Sequence, residues 1–196
     1  MKGRVLLAGI LAGIVSFLWG MLSHVVLNLG ESSMKSIPAE PVVLRAMSTH
    51  ITEPGLYFFP SMQDQPKGTL EQQKAAQAAY LKAYETRPHG VLIYSPPNGP
   101  LNFGSRLARQ LAIEIVCGLI AAVLLSMAAA SLPFGGRVLF VALLGLFASM
   151  SVDAPYWNWY GFPTAYFRSQ VIDEVAGWVL AGVVLATMIR SPKRRV

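Results

Sequence analysis

The run LAIEIVCGLIAAVLLSMAAA, residues 111–130, decides how this chain is built. It holds a single acidic residue, Glu114, and no basic one among its 20 residues. A helix of that length rises about 30 Å, the thickness of the hydrocarbon core of a bilayer. The run therefore predicts a transmembrane helix, with apolar flanks extending it to Leu107–Leu132. Three similar stretches lie outward from it, at Val5–Leu29, Val138–Val152 and Ser169–Ile189. The third is short, about 22 Å as a helix. It needs the flanking turn Leu132-Pro133-Phe134-Gly135-Gly136, a thinner bilayer, or snorkelling by Arg137; a re-entrant hairpin is the alternative there.

Composition agrees with a membrane class. Apolar residues make up 54% of the chain and charged ones 13%, against roughly a quarter charged in a soluble domain. The N-terminus, MKGR before a long apolar run, resembles a secretory signal. The run is too long for one, and no small-x-small cleavage site follows, so it reads as an uncleaved anchor.

The charges orient the spans. Lys2, Arg4, Arg137, Arg190, Lys193, Arg194 and Arg195 flank span ends that share one side if all four spans cross, and no acid accompanies them. By the positive-inside rule both termini are cytoplasmic, and the segment 30–105 is exported. That segment is neutral: Lys35, Arg45, Lys67, Lys74, Lys82 and Arg87 balance Glu31, Glu40, Glu53, Asp64, Glu71 and Glu85. The net charge of +6 thus reflects topology and attraction to anionic inner-leaflet lipid rather than a nucleic-acid surface. The single cysteine, Cys117, excludes an intrachain disulfide and reads as a small packing residue.

The expected architecture is a membrane all-α four-transmembrane-helix bundle: residues 1–29 form helix 1, 30–105 a small periplasmic α+β cap, and 106–196 helices 2–4. The last part includes an aromatic outer loop, 153–167, and a basic cytoplasmic tail. Within the cap, Ala39–His50 reads as a helix after Pro38, and Leu56–Phe59 as a strand after the turn Glu53-Pro54-Gly55. Thr69-Leu70-Glu71-Gln72 has the capping-box pattern and opens a helix running to about Thr86. Gly90–Ser95 is a second strand. So few elements bury little core, and the cap is expected to pack on the bundle or on a partner.

Each span carries small residues along one face, which lets helix backbones approach closely. Gly9, Gly13, Ser16 and Gly20 lead to Ser23 and His24; Glu114 leads to Cys117, Gly118, Ala121 and Ala122. Ala142, Gly145 and Ser149 lead to Asp153, while Asp173 and Glu174 precede Gly177 and Ala181. His24, Glu114, Asp153, Asp173 and Glu174 thereby form a candidate polar cluster near the outer end, with Arg109 and Arg168 nearby. Buried carboxylates need pairing, protonation or a bound cation.

Three readings follow. Arg109 and Arg168 neutralise the carboxylates in a salt-bridge layer; or His24, Glu114, Asp153, Asp173 and Glu174 hold a divalent metal ion; or the group handles protons, ions or acid-base catalysis. His50 and His89 read as solvated or capping residues. In the outer loop, Tyr156, Trp157, Trp159, Tyr160, Phe162, Tyr166 and Phe167 suit a headgroup-level anchor. Trp157, Trp159 and Tyr160 as a platform for a quinone, lipid or carbohydrate is the sharper alternative.

No Walker loop, dinucleotide glycine fingerprint, HExxH, CxxC, haem attachment sequence or GxSxG elbow is present, and no internal repeat suggests a transporter. An accessory or interaction protein fits better than an independent enzyme. Its expected partners are the lipid bilayer and another membrane protein or a second copy of itself.

The stretch Phe17-Leu18-Trp19-Gly20-Met21-Leu22-Ser23-His24, with Leu29-Gly30-Glu31, Ile37-Pro38-Ala39-Glu40 and Glu53-Pro54-Gly55-Leu56-Tyr57-Phe58-Phe59-Pro60, resembles a group of uncharacterised bacterial inner-membrane proteins. The resemblance covers about the first third of the chain. It implies a bacterial inner-membrane setting and carries no activity.

Overall fold

The structure is a computed structural model that describes residues 2–30, 33–61 and 68–190. The chain divides into two compact units, Met1–Lys35 with Leu101–Val196, and Ser36–Pro100.

The first unit is helical: α1 (Lys2–Met21), then, beyond the second unit's elements, α4 (Phe103–Ala128), α5 (Phe134–Tyr160) and α6 (Thr164–Met188). Among the described residues, four helices are long and apolar enough to cross a membrane, the first including the π-helical extension to Val26. This is a multi-pass membrane protein by length and composition. Large apolar side chains such as Leu6, Ile113, Leu139 and Ile172 remain more than half exposed, as expected of a surface solvated by lipid.

Small residues carry the packing. A Cβ placed on Gly13 would lie 2.5 Å from the Glu114 carbonyl oxygen, and one on Gly118 would collide with the Gly9 carbonyl oxygen and the Gly13 nitrogen. The glycines of α1 and α4 therefore let two backbones meet with nothing between them. On α6, Gly182 receives Val138 and Val141, whereas Gly145 of α5 receives the Trp178 ring. The buried core follows the same faces, with Ala8, Ala12, Ala121, Ala122, Leu125, Val141, Ala181 and Leu185 each at most 1% exposed.

Two local features depart from expectation. The third span is not short: α5 has 27 residues, about 40 Å of rise, so neither a thin bilayer nor a hairpin is needed. It begins at Phe134 and continues through Pro155 and the aromatic residues that were expected to form a loop, ending at Gly161 with φ 73°. The connection to α6 is correspondingly brief. Arg137 does not snorkel either: it is 8% exposed and donates from Nη1 to the Ile189 carbonyl oxygen at 2.5 Å. At the end of α6 that carbonyl has no intrahelical donor, so the guanidinium supplies one.

At the other end of α1 the helix loosens into a π-helical turn over Leu22–Val26. Leu27 N–H bonds the Leu22 carbonyl and Leu29 N–H the Ser23 carbonyl, after which Asn28 (φ 51°) and Gly30 (φ 86°) stop the helix.

The second unit contains α2 (Glu40–His50), β1 (Gly55–Phe59), α3 (Leu70–Thr86) and β2 (Gly90–Tyr94). The strands pair antiparallel from Gly55↔Tyr94 to Phe59↔Gly90. The capping box forms as the sequence predicts: Thr69 Oγ1 accepts from Gln72 N–H, and Gln72 Oε1 accepts from Thr69 N–H at 2.9 Å. His89 stacks on Tyr84 with ring centroids 3.9 Å apart. No described residue of this unit is fully buried, the outcome expected of so small an α+β unit.

Candidate functional site: a polar cleft between three membrane helices

Asp173 is the centre of the site. It lies about two and a half turns into α6, and its carboxylate accepts from Trp19 of α1 and lies beside His24 of the π-turn. Trp19 Nε1 donates to Asp173 Oδ1 at 2.8 Å and to the Asp173 carbonyl oxygen at 3.1 Å, while His24 Nε2 lies 3.3 Å from Oδ2. The contact is local in space and remote in sequence, 154 residues separating Trp19 from Asp173. The Asp173 side chain is 15% exposed and that of His24 45%. His24 owes its position to the π-turn, because the extra residue per turn rotates the imidazole relative to the α1 glycine face. Gly177 makes room for the clamp: a Cβ there would sit 3.0 Å from the Trp19 ring.

Around this clamp is a cleft of about 490 Å³ between α1, α4 and α6. Its polar lining comprises His24, Gln110, Glu114, Gln170, Asp173 and Glu174, and its aromatic lining Phe17, Trp19, Phe103 and Trp178. Neutral donors hold two of the carboxylates. Gln110 Nε2 donates to Glu114 Oε1 at 2.8 Å, and Trp178 Nε1 donates to Glu174 Oε2 at 3.0 Å, each from four residues away along the same helix. Gln170 is held by Tyr166, its Nε2 lying 2.6 Å from the phenol oxygen. Among the described residues, no lysine or arginine lines the cleft.

Four of the five ionisable residues expected to cluster, His24, Glu114, Asp173 and Glu174, therefore line one cleft. Asp153 does not line it; it is half-buried on α5 and accepts from Ser149 Oγ at 2.7 Å. The two arginines expected to neutralise carboxylates do not do so. Arg109 bonds the carbonyl and hydroxyl oxygens of Ser105 within its own helix, and Arg168 is exposed. Each precedes its carboxylate by five residues, about 140° around a helix, which turns it to a different face. Among the described residues the one ion pair is His24–Asp173. The five-residue metal set likewise does not converge: among the described residues no three His, Cys, Asp or Glu side chains are grouped to hold a metal ion.

The aromatic platform is also divided. Trp157 and Trp159, two residues apart on a helix, point to opposite sides. Trp157 donates to Thr164 Oγ1 at 3.1 Å and stacks on Phe167, pinning the start of α6, whereas Trp159 is 75% exposed. Tyr160 packs against Tyr156, with ring centroids 5.6 Å apart.

Trp19, Gln110, Gln170 and Trp178 are the site residues that sequence reading missed. The signal for Gln110 and Trp178 was present, since each stands four residues from a carboxylate on a helix. A tryptophan N–H inside an apolar span also needs an acceptor, which points from Trp19 towards some carboxylate without saying which. Comparison with known protein families, curated proteins and solved structures finds no match for this chain.

Proposed function

We propose that this chain is a bacterial inner-membrane accessory or binding protein that receives a cationic group in the cleft between α1, α4 and α6. One observation carries the reading: Glu114, Asp173 and Glu174 line the cleft, and among the described residues His24 is the sole basic side chain that lines it. His24 is paired with Asp173, and the donors to Glu114 and Glu174 are neutral amide and indole groups. Among the described residues, two carboxylates are thus left without a countercharge in a cleft lined by both polar and aromatic side chains within a helical membrane unit, where an unpaired charge is costly. A cation supplied from outside the chain restores the balance. Phe17, Trp19, Phe103 and Trp178 add aromatic walls, which attract organic cations as well as excluding water.

A binding role suits this inventory better than catalysis. The cleft has a carboxylate-paired imidazole, but its carboxylates are occupied by indole and amide donors, and no nucleophile is bonded to His24 among the described residues. The topology belongs to the same proposal. Both termini are cytoplasmic, and the unit Ser36–Pro100 is periplasmic, supported by the excess of lysine and arginine on one side of the spans, where Lys2, Arg4, Arg137, Arg190, Lys193, Arg194 and Arg195 outnumber Arg106, Arg109 and Arg168 at the other span ends. An interaction role for that unit is supported by its two-stranded sheet, where the cross-strand partners Leu56 and Ile93 are 66% and 78% exposed.

The test uses the intrinsic fluorescence of the purified protein in mild detergent during titration with tetramethylammonium and with sodium as a comparison. Saturable quenching is expected for the organic cation, with affinity reduced at least tenfold in Glu114→Gln/Glu174→Gln. Equal response of the wild type and the double variant would remove the cleft as the binding site.

A further inference from the structure

At the opposite end of the bundle a second groove, about 650 Å³ in volume, runs between the start of α1, the second half of α4 and the residues following α6. Its walls are apolar, formed by Val5 and Leu6 of α1, Leu119 and Val123 of α4, and Ile189; Arg190 stands at its rim. Gly3 also lines it and would meet no atom within 4 Å of an added Cβ, so the mouth is open beside α1.

Among the described residues, the charged side chains at this end are all cationic. Arg4 is exposed on the first turn of α1, Arg190 is exposed just beyond α6, and Arg137 is buried against the Ile189 carbonyl. No aspartate or glutamate occurs in α1, in α4 after Glu114, in α5 before Asp153, or in α6 after Glu174. Arg137 also keeps Ile189, a wall residue, in place, and its Nε has no hydrogen-bond partner, an unusual state for a buried guanidinium nitrogen. An apolar trough with Arg190 at its rim and Arg4 on the adjoining first turn of α1 has the polarity of an anionic amphiphile.

We infer that this groove is a binding site for an anionic phospholipid of the surrounding bilayer, one acyl chain lying along Val5, Leu6, Leu119 and Val123 and the phosphate meeting Arg190 and Arg4. Annular lipid contacts any transmembrane helix, but a site needs both a cavity that takes a chain and a charge that selects a headgroup. Basic pockets between transmembrane helices bind anionic headgroups for this reason. The site is independent of the polar cleft, which lies at the other end of the same helices and is lined by none of the same residues.

The experiment reconstitutes the full chain in bilayers of equal parts phosphatidylglycerol and phosphatidylcholine with identical acyl chains, extracts it gently, and counts retained lipid by native mass spectrometry. The wild type is expected to retain phosphatidylglycerol over phosphatidylcholine at about one lipid per chain. Arg4→Gln/Arg190→Gln should lower that preference roughly 25-fold, about fivefold per cation removed. Val123→Trp, which fills the trough at an exposed position and leaves every charge, should lower retention of both lipids. Unchanged preference in the arginine variant overturns the proposal. So does unchanged retention in Val123→Trp, which would mean that the cations attract headgroups to the surface without a groove. The wild type also offers a check that needs no variant: its preference for phosphatidylglycerol should fall as salt rises, and a salt-independent preference contradicts the headgroup assignment.

Discussion

Asp173 shows how one carboxylate inside a membrane helix is made tolerable. Its Oδ1 accepts from the Trp19 indole, and its Oδ2 lies 3.3 Å from His24 Nε2. Its cost was legible from the sequence, because a carboxylate inside an apolar run needs a partner. The identity of the partners was not, because they come from another helix across most of the chain. Replacing Asp173 by Ala leaves the Trp19 N–H with only the backbone carbonyl and His24 with none, and is expected to cost about 1–3 kcal/mol. Asp173→Asn keeps an acceptor for Trp19 and loses only a half-exposed ion pair, so about 1 kcal/mol or less is expected. Denaturant titration in mixed micelles measures both; equal losses would mean that the indole contact contributes nothing. Arg109 and Arg168 teach the converse. Proximity along the chain suggested pairing, yet five residues of helix turned both away from the carboxylates.

Helices α1 and α4 owe their approach to glycine, and the consequence is testable residue by residue. Gly118→Ala places a methyl group against backbone atoms that have no side-chain freedom to move, so a loss of about 1–3 kcal/mol is expected, as for overpacked cores. Gly20→Ala, further along the α1 face that carries Gly9 and Gly13, meets no atom within 4 Å and should be neutral or stabilising by about 0.5–1 kcal/mol through the lower backbone entropy of alanine. Thermal unfolding of the two variants in one detergent compares them directly, and a Gly118→Ala protein as stable as Gly20→Ala would refute the close-packed interface. At this scale much was readable beforehand. The capping box at Thr69, the two strands, the limits of α2 and α3, and the small-residue stripes all depend on neighbours within about four residues. The extent of α5 was not readable. Asp153, Pro155 and the tyrosine and tryptophan run look like a loop by polarity, but Ser149 satisfies Asp153 within the helix and the aromatic rings pack around the turn to α6.

The whole molecule joins a polar cleft at one end of its membrane helices to a basic, apolar groove at the other. Charge asymmetry supports the orientation we propose, under which a reporter fused after Lys67 is active only in the periplasm; activity in the cytoplasm would invert the scheme and place the basic groove in the outer leaflet. The amino-acid sequence by itself determined the membrane class, the number of spans, the small-residue faces and the locations of costly carboxylates. Those depend on transfer free energies and helical periodicity, which are properties of local stretches. Only the tertiary structure decided that His24, Glu114, Asp173 and Glu174 share a cleft while Asp153, Arg109 and Arg168 stand apart, and that Arg137 turns inward to the end of α6. Which faces meet is set by how glycine-lined backbones interlock and by a π-turn that rotates one imidazole, and neither has a signature in hydropathy.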